Sequence, residues 1–307
     1  MRRRLVTLML ALTICGAAAA ETVTAPFPDG SAEAALTARI AETLGYDYAP
    51  AEAGAVLSSE GRAEAANVML AETGTLLCDT QAALMAGLQG YTEEDLRTAM
   101  TPVCRVARCP LYLVMSAETA REKGIADGEG LLAYIAENEY ADDFLLARHI
   151  EADPTDRAAV FLADRLPVLT EPLWPEEIPE ALRGGEAALA LFTETELSGD
   201  DGEWLVLFTL GAERTGARPE IPALPEAGLE ACPEPALYLM TAAGTAAEII
   251  SAAAERVGKA DLSADCAAAG YVFEPLTGEA LTAEVAALFA DYKEYMTAEG
   301  MFFYETD

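Results

Sequence analysis

The sequence predicts an α/β protein with largely parallel sheets. Short apolar runs alternate along the chain with longer segments in which apolar residues recur every three or four positions. The first pattern is typical of buried strands and the second of amphipathic helices. Their regular alternation, with Gly, Pro or acidic residues between them, indicates repeated strand–helix units.

The strand predictions depend on short, mainly apolar runs of two to six residues, bounded by Gly, Pro or acidic residues. In chain order they are Val23–Ala25, Val68–Ala71, Val103–Val106, Leu111–Met115, Val168–Leu169, Ala188–Phe192, Leu205–Leu210 and Leu237–Thr241. They fall throughout the chain, so no segment separates an all-helical part from an all-strand part.

Three helices are marked by their ends or by their apolar face. Ser31 is a predicted N-cap for a helix that ends at Leu44, with Gly45 as its stop. Thr245 and Glu248 have the spacing of a capping box. Near the end of the chain, one apolar stripe predicts a helix packed on the core; its residues are Val285, Leu288, Phe289, Tyr292 and Met296.

The first twenty residues have the three parts of a secretory signal peptide. Residues 2–4 are arginines, residues 5–14 form an apolar run, and residues 16–20 are small. This order predicts cleavage after Ala20 and a periplasmic or otherwise exported, soluble protein. The apolar run is too short to span a bilayer. Cys15 raises the alternative of a lipoprotein, but the preceding Ile14 is larger than the residue that lipoprotein processing prefers.

The chain is strongly acidic, with 52 Asp and Glu against 19 Lys and Arg and a net charge of −33. The acidic residues are scattered rather than gathered in a tail, which indicates a solvated globular surface. Nucleic acids and anionic membranes would be repelled by such a surface, so we expect neither as a partner. We expect a monomer.

Five cysteines follow the signal peptide: Cys78, Cys104, Cys109, Cys232 and Cys266. An oxidising compartment allows disulfides, but the odd number leaves at least one thiol without an intramolecular partner. The spacing does not determine a pairing. No second closely spaced cysteine pair accompanies Cys104 and Cys109, so we expect no metal site.

The motifs of common enzymes are missing. His149 is the only histidine, so any catalytic triad would have to use it. The sequence has no GxSxG elbow, no GxxxxGK[ST] loop and no GxGxxG motif after a strand. We therefore predict that the protein is not an enzyme and has no cofactor.

Three stretches carry a resemblance to a known family. They are TVTAPFPDGSAEAALTARIAETLG from Thr22 to Gly45, ERTGARPEIPALPEAGLE from Glu213 to Glu230, and the segment from Leu237 to Met296 that begins LYLMTAAGTAAEII. In this order they resemble the opening loop, the proline-rich signature and the closing helices of the periplasmic receptors of tripartite tricarboxylate transporters, the TctC or Bug family. The resemblance covers nearly the whole mature chain.

This resemblance implies a type II periplasmic-binding-protein fold, in which two α/β lobes close over a hinged interlobe cleft like a Venus flytrap. It implies lobe 1 at residues 21–108 plus 233–307 and lobe 2 at residues 109–232. The implied function is an extracytoplasmic receptor that captures a small carboxylated or zwitterionic metabolite, such as an organic acid, amino acid or amide, for membrane transporter subunits. The alternative is an orphan sensory or scaffold protein of the same fold with a degraded ligand pocket.

The resemblance also implies which residues contact the ligand. Carried over residue by residue, they are Phe27, Pro28, Asp29, Gly30, Ser31, Glu72, Thr73, Thr75, Arg148, His149 and Thr193. The backbone amides of Gly30 and Ser31 are expected to face the ligand at the start of a helix. Arg148 is suited to grip a carboxylate with two hydrogen bonds, and its alternative role is an ion pair with one of the many acidic residues.

Overall fold

The structure, a computed structural model, describes residues 22–50, 58–72, 74–92, 94–199 and 202–300. The predicted signal peptide lies outside these residues, as does Thr73. Strands within them are β1 (Thr22–Ala25), β2 (Asp47–Pro50), β3 (Thr75–Thr80), β4 (Met100–Arg108), β5 (Leu111–Ser116), β6 (Leu145–His149), β7 (Leu169–Leu173), β8 (Ala190–Thr193), β9 (Trp204–Thr209), β10 (Ala236–Ala242) and β11 (Val272–Leu276).

The α-helices in the same residues are α1 (Ala32–Leu44), α2 (Ser59–Ala71), α3 (Ala82–Leu88), α4 (Leu96–Ala99), α5 (Ala117–Lys123), α6 (Gly128–Glu137), α7 (Pro154–Ala163), α8 (Ile178–Gly184), α9 (Glu194–Leu197), α10 (Ala247–Lys259), α11 (Ser263–Ala268) and α12 (Gly278–Ala298). A 3₁₀ turn spans Leu224–Ala227. No helix among the described residues has both the length and the apolar character needed to cross a bilayer.

Two α/β lobes make up the molecule. The first lobe is built on a six-stranded sheet in the order β11–β4–β10–β3–β1–β2. The second lobe holds a three-stranded sheet, β8–β5–β9, and the pair β6–β7. An isolated parallel bridge between Leu146 and Leu189 joins the pair to the three-stranded sheet. The predicted α/β class is therefore confirmed.

Both faces of the large sheet are covered, as alternate residues of β10 demonstrate. Leu237 and Leu239 belong to one buried cluster, whereas Tyr238 and Met240 belong to another. Successive side chains of a strand point to opposite faces, so these clusters lie on the two sides of the sheet. This burial explains why β10, ALYLMTA, is apolar almost without interruption.

The strand directions are mixed rather than largely parallel. In the large sheet β1 runs parallel to β2 and β3, but β10 is antiparallel to both β3 and β4. In the second lobe β5 is antiparallel to β8 and β9, and only β6 and β7 form a parallel pair. The prediction was wrong on this point because the alternation of strand and helix segments does not determine the direction in which neighbouring strands pair.

The chain passes between the lobes at two neighbouring places. Cys109, between β4 and β5, donates its backbone N–H to the Pro235 carbonyl at 2.7 Å. On the returning segment, Cys232 donates to the Leu210 carbonyl at 2.9 Å. These hydrogen bonds hold the two connections side by side.

The predicted helix starts had different outcomes. Ser31 caps α1 by accepting the Ala34 N–H at 3.1 Å, as predicted, and the apolar stripe near the end of the chain lies on α12. The capping box at Thr245 is absent, because the Thr245 hydroxyl bonds the Ala242 carbonyl and the Thr241 side chain instead. Local side-chain hydrogen bonds of this kind compete with capping.

The five cysteines that follow the predicted signal peptide are all buried and free in the described part of the chain. Cys78 and Cys104 flank Leu239 on the two strands that border β10. Two strand spacings separate such residues by roughly 10 Å, beyond the Cα separation of about 7 Å that a disulfide tolerates.

Candidate functional site

A cavity of about 290 Å³ lies between the two lobes. On the first-lobe side it is lined by Ser58, Ser59, Arg62 and Ala82. On the second-lobe side it is lined by Glu151, Ala152, Asp153, Trp174, Pro175 and Glu176. Its volume is at the small end of the range for ligand sites, which suits a metabolite with few heavy atoms.

The cavity lies at the carboxyl ends of parallel strands. In the first lobe, α2 follows β2 and α3 follows β3, and the starts of both helices reach the cavity. In the second lobe, the loops that leave β6 and β7 provide the opposite wall. Ligands of open α/β sheets bind at this edge because the loops and helix N-termini that follow the strands converge there.

The first-lobe wall is formed mainly by the start of α2. The Ser58 hydroxyl caps this helix by accepting the Gly61 N–H at 3.2 Å. The helix is 13 residues long, so its N-terminal end has the positive end of the macrodipole and the amides of the first turn. This end of α2 is suited to an anionic group.

Arg62 brings a cation to the same wall, held in place by a buried carboxylate. Its Nη1 donates to Asp79 Oδ1 and, at 3.3 Å, to Thr80 Oγ1. Asp79 is 0 % exposed, and burial raises its pKa even though Arg62 and the Thr80 N–H act in the opposite direction. The side-chain hydrogen bonds from Arg62 to described residues all use Nη1, so they do not occupy Nε and Nη2 of this cavity-lining residue.

The second-lobe wall contains a histidine–aspartate pair. His149 Nδ1 lies 2.5 Å from Asp153 Oδ2, and Asp153 Oδ1 accepts the Asp156 N–H at 2.8 Å to cap α7. Burial lowers the pKa of His149, but Asp153, together with Glu196 and Asp156, raises it by more, so the net pKa lies above the ordinary value. Burial raises the pKa of Asp153, and His149 with the α7 amide brings it below the ordinary value. The pair therefore favours an imidazolium and a carboxylate.

Comparison with solved structures finds several solute-binding proteins with a similar fold. A TctC solute-binding protein from Polaromonas superposes with a TM-score of 0.70 at 17% identity, over 90% of this chain and 97% of that one. The periplasmic binding protein BugD superposes with a TM-score of 0.65 at 17% identity, over 91% and 97%. An R. palustris protein with adipate gives 0.68 at 17% identity, over 91% and 97%.

The chain has the TctC fold. The predicted type II periplasmic-binding architecture is thereby confirmed for nearly the full length of the chain. No known family profile matches the sequence. No curated protein matches it either.

Within this TctC fold, the predicted first binding loop lies at the cavity edge of the large sheet but is otherwise engaged. Phe27 is 4 % exposed and belongs to the core. The Ser31 N–H, expected to face a ligand, donates to the Pro28 carbonyl at 3.1 Å. Pro28, Asp29 and Gly30 are exposed, and Gly30 has a φ of 83° that completes the turn. None of these residues lines the cavity.

Glu72 and Thr75 lie near the amino ends of the strands, on the side of the sheet away from the cavity. The predicted strand Val68–Ala71 is the last turn of α2 rather than a strand. The strand that follows, β3, begins at Thr75, which pairs with Thr22 at the start of β1. Glu72 is the exposed C-cap of α2, and Thr75 is buried. The end of β3 that reaches the cavity is five residues later, where Thr80 and Gln81 precede α3.

Arg148 forms ion pairs within the protein. Its guanidinium lies 3.3 Å from Asp156 and 3.0 Å from Glu299, the residue that follows α12. The Tyr295 hydroxyl donates to the same Asp156. Burial raises the pKa of Asp156 to about 6, despite the opposing effect of Tyr295 and Arg148. Arg148 does not line the cavity; Arg62 does.

The two remaining predicted residues have local roles. Thr193 caps α9 in a capping box with Glu196. His149 contacts the cavity only through Asp153.

Sequence reasoning missed Arg62, although a signal was present. It is the only basic residue between Arg39 and Arg97, and it follows the pair Ser58–Ser59 in the first turn of a helix. A cation is unfavourable at that end of the helix macrodipole, so its presence there indicates a specific partner. The Asp79 carboxylate is that partner.

Proposed function

We propose that this protein is an exported solute-binding receptor that captures a small carboxylated metabolite between its two lobes and delivers it to membrane transporter subunits. The observation that carries the proposal is the position of the cavity: it lies between the lobes and at the carboxyl ends of parallel strands from both. The solved protein with adipate, which shares the fold, supports a carboxylate as the ligand. Binding and release require no covalent chemistry, and we propose no enzymatic activity.

In this proposal the ligand carboxylate binds the first-lobe wall. The amides at the start of α2, the hydroxyls of Ser58 and Ser59, and the guanidinium of Arg62 are the donors. Such charge-assisted hydrogen bonds are stronger than neutral ones, and the helix end adds its positive dipole. Asp79 keeps the Arg62 side chain in position without occupying all of its donors.

The lobes divide, in this proposal, after Arg108 and after Cys232, with residues 1–20 removed on export. Cys109 and Pro235 form the hydrogen bond between the two connections at this division. Hinge closure about these segments would bring the second-lobe loops onto a ligand already held by α2.

The test is a ligand panel read by thermal shift and calorimetry on the mature chain, with dicarboxylates, amino acids and aromatic acids as probes. A ligand at 100 times its Kd is expected to stabilise the protein by about 2.7 kcal/mol. Loss of the guanidinium in an Arg62→Met variant is expected to weaken that ligand roughly tenfold or more, because charged hydrogen bonds contribute about 1.5–3 kcal/mol.

Two further variants make the result interpretable. Arg97→Met removes an exposed arginine that pairs with Asp95, away from the cavity, and is expected to leave affinity unchanged. The double variant Arg62→Met with Asp79→Asn removes the buried pair without leaving an unpartnered carboxylate. Equal affinity in the wild type and in this double variant would remove Arg62 from the site, and a panel without any stabilising compound would contradict the receptor function.

A further inference from the structure

The two walls of the cavity carry opposite charge. The first-lobe wall has Arg62 and the positive end of α2, whereas the second-lobe wall has the carboxylates of Glu151, Asp153 and Glu176. Among the residues that the structure describes, no lysine or arginine lines the second-lobe side. A ligand that bridges the closed lobes therefore contacts donors at one end and acceptors at the other.

Two of these carboxylates have no counter-charge from the described residues. Asp153 is engaged by His149 and by the amide of Asp156. Glu151 and Glu176, by contrast, have neither an ion pair nor a side-chain hydrogen bond with any described residue of the chain, in a protein where most arginines are paired. Their charges are available to a cation that enters the cavity.

An aromatic ring lines the same wall of the cavity. Trp174 lines the cavity next to Glu176 and is 45 % exposed. The Ile150 N–H donates to the Leu173 carbonyl at 2.9 Å, so the segment that carries Glu151 runs beside the segment that carries Trp174. An indole face attracts ammonium groups more strongly than the rings of Tyr or Phe.

We propose that Glu151, Trp174 and Glu176 form a cation subsite, and that the ligand is a zwitterion with its ammonium or alkylated ammonium group on the second lobe and its carboxylate on α2. This inference rests on the proposed receptor function. A metal ion is a poorer occupant, because no group of three acidic, histidine or cysteine residues with ligand geometry exists among the described residues. A second carboxylate would face two like charges, which disfavours a dicarboxylate.

The test compares ligands of equal length and different charge. The probes are succinate, 4-aminobutanoate and 1,4-diaminobutane, their five- and six-carbon homologues, and the common α-amino acids, each titrated calorimetrically. We expect a zwitterion to bind at least tenfold more tightly than the dicarboxylate of the same length. Tighter binding of a dicarboxylate would overturn the cation subsite and leave the receptor function intact; no binding by any probe would contradict both.

Variants then assign the subsite to its residues. In the double variant Glu151→Gln with Glu176→Gln, zwitterion affinity is expected to fall about tenfold and dicarboxylate affinity to stay equal or rise, since two like charges are lost. Trp174→Leu is expected to weaken the zwitterion about threefold to tenfold. Glu171→Gln, an exposed carboxylate on β7 that does not line the cavity, is the matched control. The assignment would be overturned if the double Gln variant lost affinity equally for zwitterions and dicarboxylates, or if its affinity for the zwitterion were unchanged.

Discussion

Buried carboxylates occur on both sides of the interlobe cavity, and each is paired in a different way. Asp79 is matched by one arginine and one backbone amide, and its Oδ2 has no partner among the described residues. Asp156 is matched by Arg148 and by the Tyr295 hydroxyl. Removing one partner of a buried pair leaves an uncompensated charge, so these contacts constrain which substitutions the site tolerates.

Asp156 makes stability depend on pH. Its pKa is raised to about 6 from 3.8, so between these values the folded state binds a proton that the unfolded state releases. The free energy of unfolding of the wild type is therefore expected to fall as pH rises from 4 to 7, by roughly 2–3 kcal/mol relative to Asp156→Asn. Urea titrations of both proteins at pH 4, 5, 6 and 7 measure the difference. A difference that stays constant, or that grows in favour of the wild type at pH 7, would contradict the assignment.

At the scale of elements, α1 and α2 are a matched pair. Each has 13 residues, starts at the cavity edge of the large sheet and is capped by a serine hydroxyl. Only the Ser58 cap lines the cavity; the Ser31 cap does not.

Substituting the two capping serines in turn distinguishes the contribution of a serine to helix stability from its contribution to ligand binding. Ser58→Ala and Ser31→Ala are each expected to lower the free energy of unfolding by about 1 kcal/mol, because each removes one N-cap hydrogen bond. Only Ser58→Ala is expected to weaken the ligand that the panel identifies. Chemical unfolding and calorimetry on the two variants measure both effects. An equal loss of affinity in both variants would indicate that the Ser31 loop also contacts the ligand.

The helix α12 connects the lobes beside the cavity. Asp291 of α12 pairs with Arg157 of α7 at 2.7 Å, and the Tyr295 hydroxyl of α12 donates to Asp156 of α7. A small buried cluster lies under these contacts, with members from α3, from the loop before α7 and from α12; they are Met85, Leu88, Ala152, Tyr292, Tyr295 and Met296. Because α7 starts at the cavity, this contact couples α12 to the second-lobe wall.

At the scale of the whole molecule, charge repulsion opposes folding. The net charge of −33 is spread over the surface, and the ion pairs use most of the few cations. Salt screens the many repulsive contacts between exposed acids more than it weakens the fewer attractive ones. The free energy of unfolding is therefore expected to rise between about 0.02 M and 0.5 M NaCl. Urea titrations at both concentrations measure it, and a fall would indicate that ion pairs dominate.

Much of the fold could be predicted from local pattern. The start and end of α1 follow from Ser31 and Gly45, and the stripe on α12 follows from its period. Where the pattern was ambiguous the prediction was wrong. The run Val68–Ala71 is as apolar as a strand, but it completes the last turn of α2, and this error moved the expected contacts to Glu72 and Thr75, away from the cavity.

By itself, the sequence determined the α/β class, the acidic surface and the resemblance that comparison with solved structures bears out at the level of fold. Only the tertiary structure decided which arginine reaches the cavity and which carboxylates face it. The physical reason is that periodicity and capping act over a few residues, whereas Arg62 and Glu176 are brought to one cavity by the docking of two lobes. Only packing determines that Arg148 meets Asp156 while Arg62 lines the interlobe cavity.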